Sequence, residues 1–310
     1  MIGGRGTHPV ASVAGGLAAP LSKPRHGLLV TQSNRAVALA TELVETSRDA
    51  LLSRPEVLFS LPLETHYLGT VKDGALDLYD GTLRLCSPDG SIFDFSEDDW
   101  TKHLVEETTP TSYGKGVSFR LPDGKLVPFR TGALARVNCA ARIDTPRADA
   151  ELQRLREAGG FPCHQTVFYH WARLVELLHA AEKLAQLVAD PEILSDDVRA
   201  VPSGTPRSAA AHVEAPRGVL IHDYDVDARG IVTRANLLVA TQQNLGSIGQ
   251  TIARSAEQYL DRDDATLLNG IEFGIRCYDP CLSCATHRLG EMKLAVTVRR
   301  GGVVVREARR

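Results

Sequence analysis

The sequence predicts a mainly α-helical fold with a minor antiparallel β region. Residues 165–189 predict the clearest helix, because their apolar side chains recur at the period of an α-helix. This stripe consists of Trp171, Leu174, Val175, Leu178, Ala181, Leu184 and Val188. Residues 65–130 predict the β region, because short apolar segments there are separated by Asp-Gly pairs that favour turns. Those pairs lie at 80–81, 89–90 and 123–124.

Caps and helix breakers predict two further helices. Residues 1–30 are rich in Gly, Pro and Ala and predict a loop, whereas residues 31–33 offer a helix cap and Arg54-Pro55 ends the helix. Thr145-Pro146 has the order of a cap followed by a first-turn proline, and Gly159-Gly160 ends that second helix. Two further helices are predicted at 247–262 and 264–275.

Two hairpins complete the predicted secondary structure. Residues 219–239 predict one hairpin, with its turn near 225–230. Residues 292–299 alternate between apolar and polar side chains, and Gly301-Gly302 then offers a turn into 303–305. The second hairpin is therefore expected close to the C-terminus.

Composition excludes several classes of protein. The net charge is -3 and aromatic residues make up 5% of the 310 residues, which argues against a nucleic-acid-binding surface. No stretch approaches the roughly 18 consecutive apolar residues of a membrane span. The N-terminus lacks the pattern of a signal peptide, and the cysteines are not arranged as a disulfide framework, so we expect a cytoplasmic protein with reduced thiols.

Three of the six cysteines lie close together in the sequence, in Cys277, Cys281 and Cys284. The spacing Cys281-x-x-Cys284-x-x-His287 brings two thiolates to one metal ion, and thiolates favour zinc, nickel or iron. The alternative of a structural zinc site needs about four ligands. No second Cys-x-x-Cys is present to supply them.

The string from Ile275 to His287, Ile-Arg-Cys-Tyr-Asp-Pro-Cys-Leu-Ser-Cys-Ala-Thr-His, resembles the end of nickel-iron hydrogenase large subunits, most of all the cytoplasmic NAD-reducing, cofactor-coupled branch. The resemblance implies that Cys281 is a terminal nickel ligand and proton carrier. Cys284 would bridge nickel and iron, and His287 would bind a structural magnesium. It also divides the chain into a partial large-subunit domain, 1–287, and an extension, 288–310, that a maturation endopeptidase removes.

A second motif is Glu214-Ala215-Pro216-Arg217-Gly218. By itself, an arginine in such a turn is most often a surface charge. The motif also resembles the family's Glu-x-Pro-Arg-Gly element, which implies that Pro216 and Arg217 face the iron and its diatomic ligands. A guanidinium offers planar, permanently charged donors for such ligands. The same resemblance gives Asp279 a supporting carboxylate role, although an Asp-Pro pair is also a common turn.

A third similarity to the family lies at residues 3–10, followed by the glycine pair 15–16. Weaker similarities lie at residues 131–138 and 237–244, and the last of these implies that the Leu237 carbonyl lies near the magnesium. The three histidines His164, His170 and His179 fit no metal-binding spacing, so we interpret them as surface or packing residues.

The family's earlier Cys-x-x-Cys, which gives two more sulfurs to nickel, is absent from the 310 residues. The chain therefore resembles either an N-terminally truncated large subunit or a degenerate relative. The resemblance implies reversible oxidation of dihydrogen, and its implied partners are the iron-sulfur small subunit of the hydrogenase and NAD(P)- or other cofactor-reducing subunits. The alternative is a non-catalytic subunit with a structural or partner-binding role. An in-frame Cys-x-x-Cys encoded upstream of Met1 would favour the enzyme.

Overall fold

The computed structural model describes residues 10–108, 114–201, 203–204, 207–281 and 295–309. Within them the chain forms helices and several small sheets, which are antiparallel except for one parallel strand pair. None of the described helices is long and apolar enough to cross a membrane. The predicted element at residues 3–9, together with Cys284 and His287, lies outside the described residues.

The first long helix, α1 (Lys23–Leu52), begins earlier than the sequence predicts. The predicted cap at residues 31–33 is wrong, because these residues lie inside the helix. Pro24 occupies the first turn, where its missing N–H leaves no hydrogen bond unmade. The Thr31 hydroxyl donates to the Gly27 carbonyl at 3.2 Å, so it bonds within the helix instead of capping it.

The prediction of a loop over residues 1–30 is also wrong for residues 12–17, which form a small hairpin before α1. Its strands are β1 (Ser12–Val13) and β2 (Gly16–Leu17). The predicted stop at Arg54-Pro55 is confirmed, and a single turn of helix, α2 (Pro55–Leu58), follows it.

The first sheet confirms the predicted antiparallel region. Its strands occur in the order β10-β3-β5-β6, with β4 paired to β3. The short β10 runs parallel to β3, while the other pairs are antiparallel. The strands are β3 (His66–Lys72), β4 (Ala75–Leu76), β5 (Thr82–Cys86), β6 (Ile92–Phe95) and β10 (Phe129–Arg130). Strands β7 to β9 lie between β6 and β10 in the chain and form a separate sheet.

A second, three-stranded sheet fills the rest of this region. One turn of helix, α3 (Trp100–His103), leads into β7 (Leu104–Glu107), which pairs with β8 (Gly116–Arg120) and through it with β9 (Leu126–Val127). Phe119 of β8 is fully buried in an apolar cluster shared with the first sheet.

The principal core lies among three helices that follow. These are α4 (Ala133–Cys139), α5 (Pro146–Gly159) and α6 (Phe168–Ala189). The predicted helix start at Thr145-Pro146 is confirmed, but the Thr145 hydroxyl pairs with His179 Nδ1 at 2.9 Å and does not cap α5. Helix α6 packs between α1 and α5 and buries most of its predicted stripe, but Leu184 is 42% exposed, so its placement in the buried stripe is wrong. The helix lies at the centre of the helical layer.

The hairpin predicted at 219–239 is confirmed as β12 (Gly218–Val226) and β13 (Val232–Leu238). A further strand, β11 (Ser208–Ala215), pairs with β12 and was not predicted. Its first residue is followed by three consecutive alanines, which carry little β propensity. The pairing with β12 therefore decides its conformation.

Within the described residues, the last elements confirm the two helices and the hairpin predicted near the C-terminus. One turn of helix, α7 (Ala240–Gln243), precedes α8 (Leu245–Gln258) and α9 (Asp264–Cys277). Asp263 caps α9 by accepting from the Thr266 N–H at 3.0 Å. The final hairpin pairs β14 (Ala295–Arg300) with β15 (Val303–Arg309).

Two glycines allow the Arg217 turn to pack directly against the chain after β10. Gly132 and Gly218 both have positive φ, at 97° and 133°. A Cβ at Gly218 would lie 2.3 Å from the Thr131 Oγ1, and a Cβ at Gly132 would lie 2.8 Å from the Arg217 carbonyl oxygen. Both distances are too short for a side chain, so this backbone contact requires glycine on both sides.

We expect Gly218→Ala to lower the free energy of unfolding by about 3 kcal/mol or more. The left-handed backbone disfavours alanine by roughly 1–3 kcal/mol, and the forced overlap adds a similar amount. Gly230→Ala is the matched control, because Gly230 has a φ of 78° and open space around the added Cβ. The control should lose only about 1 kcal/mol. Equal losses for the two variants in urea unfolding would contradict the steric explanation.

Candidate active site

The Glu214–Gly218 turn is fixed by a buried carboxylate. Glu214 lies near the end of β11, and its side chain is fully buried. Its carboxylate accepts from the Thr70 N–H of β3 at 2.8 Å and from Arg136 Nη1 at 2.6 Å. The turn is thereby attached to a sheet strand and to helix α4.

Arg136 has two carboxylate partners and is itself buried. Its Nε and Nη2 donate to the two oxygens of Glu176 on α6, at 2.5 and 2.8 Å. It also donates to the carbonyls of Ala215 and Pro216, each at 3.0 Å. Burial lowers the pKa of the Arg136 guanidinium, but Glu176 and Glu214 raise it by more, so the group stays charged.

Arg217 reaches from this turn to the segment after α9. Its Nε donates to the Asp279 carbonyl at 2.5 Å and lies 3.3 Å from the Asp279 carboxylate. Asp279 has a φ of 50°, which is uncommon for a residue other than glycine. The Arg217 side chain is 35% exposed, so it is within reach of a small ligand. Arg217 is therefore a partly exposed residue paired with Asp279, and its role beside the iron stays a prediction.

Cys281 is tied to the same region through its backbone. Its N–H donates to the Thr241 Oγ1 of α7 at 3.2 Å, and Thr241 is buried. The structure thus brings together four of the residues that the sequence singles out, namely Pro216, Arg217, Asp279 and Cys281. These residues come from two segments more than 60 residues apart in the chain.

Leu237 lies on the outer strand of its sheet. The sheet order is β11-β12-β13, and Leu237 pairs with His222. Its side chain is 43% exposed. Its carbonyl contribution to a magnesium site stays a prediction, as do the metal-ligand roles of Cys284 and His287.

The other four described cysteines are buried thiols. Cys86, Cys139, Cys163 and Cys277 are free and buried. Burial raises the pKa of the Cys86 and Cys163 thiols to about 11 and that of Cys277 to about 12, so they remain protonated. Among the described residues, no three His, Cys, Asp or Glu side chains are grouped to hold a metal ion. The Cys281 sulfur is disulfide-bonded in the structure, contrary to the expectation of reduced thiols. Once reduced, it fits a nickel-iron centre by its donor chemistry, but the described part of the chain does not complete the ligand set.

Several residues of this site have no role that the sequence patterns could assign. Arg136 and Thr241 lie in the segments 131–138 and 237–244, whose similarity to the family gives these side chains no function. Glu176 lies on α6 with no distinguishing pattern around it. The role of Glu176 comes from its hydrogen bond with Arg136, 40 positions away in the chain, and no local sequence pattern indicates that bond.

A third arginine, Arg173, binds the backbone of the segment that precedes Asp279. Arg173 of α6 donates to the Cys277 carbonyl at 2.7 Å and contacts His170 Nδ1 at 2.6 Å. The sequence interpretation of His170 as a surface or packing residue agrees with this contact. Burial, together with the Arg173 charge, lowers the pKa of His170 to about 4, while Asp279 opposes this shift.

Known proteins of similar sequence agree with the motifs. No protein-family model matches the chain. The chain is 33% identical to a vhc F420-non-reducing hydrogenase subunit of Methanococcus voltae, over 98% of this chain and 67% of that protein. It is 39% identical to the beta subunit of the NAD-reducing hydrogenase HoxS of Cupriavidus necator, over 73% of this chain and 48% of that protein.

Solved structures agree with these relatives. A chain of an NAD+-reducing [NiFe]-hydrogenase in the H2-reduced state matches with a TM-score of 0.84 and 33% identity, over 90% of this chain and 63% of that one. The Ni-Fe-Se hydrogenase of D. vulgaris Hildenborough has the same fold, at a TM-score of 0.68 and 19% identity, over 92% of this chain and 66% of that one. The chain belongs to the nickel-iron hydrogenase large-subunit family. It spans about two thirds of the length of several of these proteins, and less of others.

We expect His170 to destabilise the fold in weak acid. Its pKa is about 4 in the folded chain against 6.5 ordinarily, so the unfolded chain binds the extra proton as the pH falls below 6.5. This shift removes about 2 kcal/mol of unfolding free energy between pH 7 and pH 5. His170→Gln should therefore lose less stability than the wild type over that interval. Urea unfolding at both pH values measures the difference, with His222→Gln as the control. Parallel losses in wild type and His170→Gln would disprove the assignment.

Proposed function

We propose that this chain forms the C-terminal part of the catalytic subunit of a nickel-iron hydrogenase, which oxidises dihydrogen reversibly to protons and electrons. One observation carries the proposal. Arg217 and Cys281, which the sequence motifs single out separately, belong to segments joined by the hydrogen bond from Arg217 to Asp279. Membership of the large-subunit family supports it. The chain spans about two thirds of its relatives, so the activity of a whole subunit is part of the proposal.

The described residues suggest a division of roles. A nickel-iron centre, when bound, supplies the Lewis acidity that polarises dihydrogen. The Cys281 and Cys284 thiolates are the proposed ligands from this chain, and Cys281 Sγ accepts a proton. Arg217 presents fixed N–H donors toward the ligand side of the site. Asp279 holds the Arg217 head group in place through its carbonyl and carboxylate.

The remaining components are assigned by the family pattern. A four-sulfur nickel site needs two thiolates beyond Cys281 and Cys284, and we propose that they come from the region that the relatives have in addition to the part spanned by this chain. The Leu237 carbonyl and His287 are the proposed magnesium ligands. The proposed partners are a small iron-sulfur subunit, which receives the electrons, and a cofactor-reducing unit, with NAD(P) as the acceptor in the NAD-reducing branch. We place this assembly in the cytoplasm.

We expect Arg217→Lys to retain nickel but to oxidise dihydrogen about 10²-fold more slowly. Lysine keeps the charge and loses the planar set of donors. The protein is purified from its source cells with its natural partners and measured for nickel content and turnover. Arg229→Lys is the matched control, because Arg229 is an exposed arginine in the turn between β12 and β13. The control should keep full activity.

An unchanged rate in Arg217→Lys would contradict the role of Arg217. Wild-type protein that contains no nickel would contradict the function itself and favour the non-catalytic subunit. Stoichiometric zinc without nickel would instead indicate a structural metal site.

We also propose that a maturation endopeptidase removes residues 288–310 once nickel is inserted. The described part of this tail packs on α9, where Ala308 is buried beside Leu267 and Leu268, and Arg306 binds Asp264 at 2.5 Å. While attached there, the tail would keep the C-terminal segment from closing over the metal. The alternative is a permanent edge hairpin.

Intact-mass measurement distinguishes the two. We expect nickel-loaded protein to end at His287, and protein from nickel-starved cells to retain Arg310. Nickel-loaded, active protein that still carries Arg310 would rule out processing.

A further inference from the structure

Arg136 is a buried guanidinium to which neither the sequence motifs nor the proposed mechanism gives a role. We infer that Arg136 is a positioning residue that holds the turn before Arg217, and so aims Arg217 at Asp279 and the site beside it. This inference rests on the proposed role of Arg217. It adds a second arginine, on a different element, whose effect on the reaction passes entirely through the first.

The first support is the complete use of the Arg136 donors. A guanidinium carries five N–H groups in a rigid plane. Arg136 directs them to five acceptors, which are both Glu176 oxygens, one Glu214 oxygen and the carbonyls of Ala215 and Pro216. The last three acceptors belong to the three residues immediately before Arg217. The backbone that carries Arg217 is therefore bonded at consecutive positions to one planar group.

The second support is the rigidity of what Arg136 is bonded to. Glu176 lies on α6, the helix at the centre of the helical layer, and Glu214 is also fixed by the Thr70 N–H of β3. The side chains of Arg136, Glu176 and Glu214 are 1%, 13% and 0% exposed, so solvent screens these bonds little. The turn cannot shift without breaking several charge-assisted hydrogen bonds in the interior.

The third support is the contrast between the two ends of Arg217. Its head group is partly exposed and, among the described residues, is held by Asp279 alone. The backbone of the two residues before it is held by Arg136 through the Ala215 and Pro216 carbonyls. A long side chain with a loosely enclosed head can keep one direction only if its origin is fixed. A shift of the turn would therefore move the head group even though Asp279 remained in place.

The position of the Arg217 head group can be measured independently of catalysis. Phenylglyoxal modifies accessible guanidinium groups, and mass spectrometry of the digested protein gives the rate for each arginine. We expect Arg217 to react about tenfold faster in Arg136→Lys and in Glu214→Gln than in wild type, because each variant weakens bonds to the turn. The exposed Arg229 serves as an internal reference in every sample. Arg48→Met is the matched control.

The control removes a comparable bond elsewhere. Arg48 binds the buried carboxylate of Glu151 at 2.8 Å, and Glu151 keeps bonds from Arg154 and Trp171 when Arg48 is removed. Arg48→Met should leave the Arg217 rate unchanged. If Arg136→Lys does not fold, Glu214→Gln and Glu176→Gln decide the outcome. Unchanged Arg217 labelling in these folded variants overturns the inference.

A kinetic cycle tests whether the effect passes through Arg217. In the holoenzyme, Arg136→Lys should lower kcat toward the level of Arg217→Lys, and the double variant should be no slower than Arg217→Lys alone. If the fold-losses in kcat of the two single variants multiply in the double variant, Arg136 acts independently of Arg217, which overturns the inference. If the wild type lacks hydrogenase activity, the proposed function fails, while the labelling result still decides the positioning role.

Discussion

The buried charge cluster of Arg136, Glu176 and Glu214 is the interaction on which the arrangement of the site depends. Removing one partner from such a cluster leaves an unpaired charge in the interior, at a cost of about 3–5 kcal/mol. The three side chains come from α4, α6 and the end of β11, and Thr70 of β3 binds the same Glu214 carboxylate. One cluster thus fixes the helical layer, the first sheet and the Arg217 turn relative to each other.

Hydrogen bonds around Thr131 continue this arrangement toward the segment that carries Cys281. The Thr131 N–H donates to Asn244 Oδ1 at 2.9 Å, and its hydroxyl accepts from the Val219 N–H at 3.0 Å. Asn244 directly follows α7, whose Thr241 binds the Cys281 N–H. The segments that carry Arg217 and Cys281 are therefore joined to a common strand end. This explains why glycine is needed at 132 and 218, where the backbones meet.

Local sequence patterns predicted most of the secondary structure. Apolar periodicity predicted α6, and Asp-Gly pairs marked turns of the antiparallel region, because both signals depend only on neighbouring residues. The start of α1 was misplaced, since hydroxyl side chains can bond within a helix as well as cap it. Strand β11 was missed because its alanines have no strong preference and its conformation comes from the partner strand.

The sequence by itself determined the family and the candidate ligands, because Cys281-x-x-Cys284-x-x-His287 and Glu214–Gly218 are short motifs whose residue types carry the chemistry. The tertiary structure alone decided that Arg217 meets Asp279, and that Arg136 bridges Glu176 and Glu214 across 40 and 78 positions of the chain. A hydrogen bond between residues so far apart leaves no periodicity or spacing in the sequence. It exists only because packing of α4 on α6 and pairing of β11 with β12 bring those side chains within bonding distance.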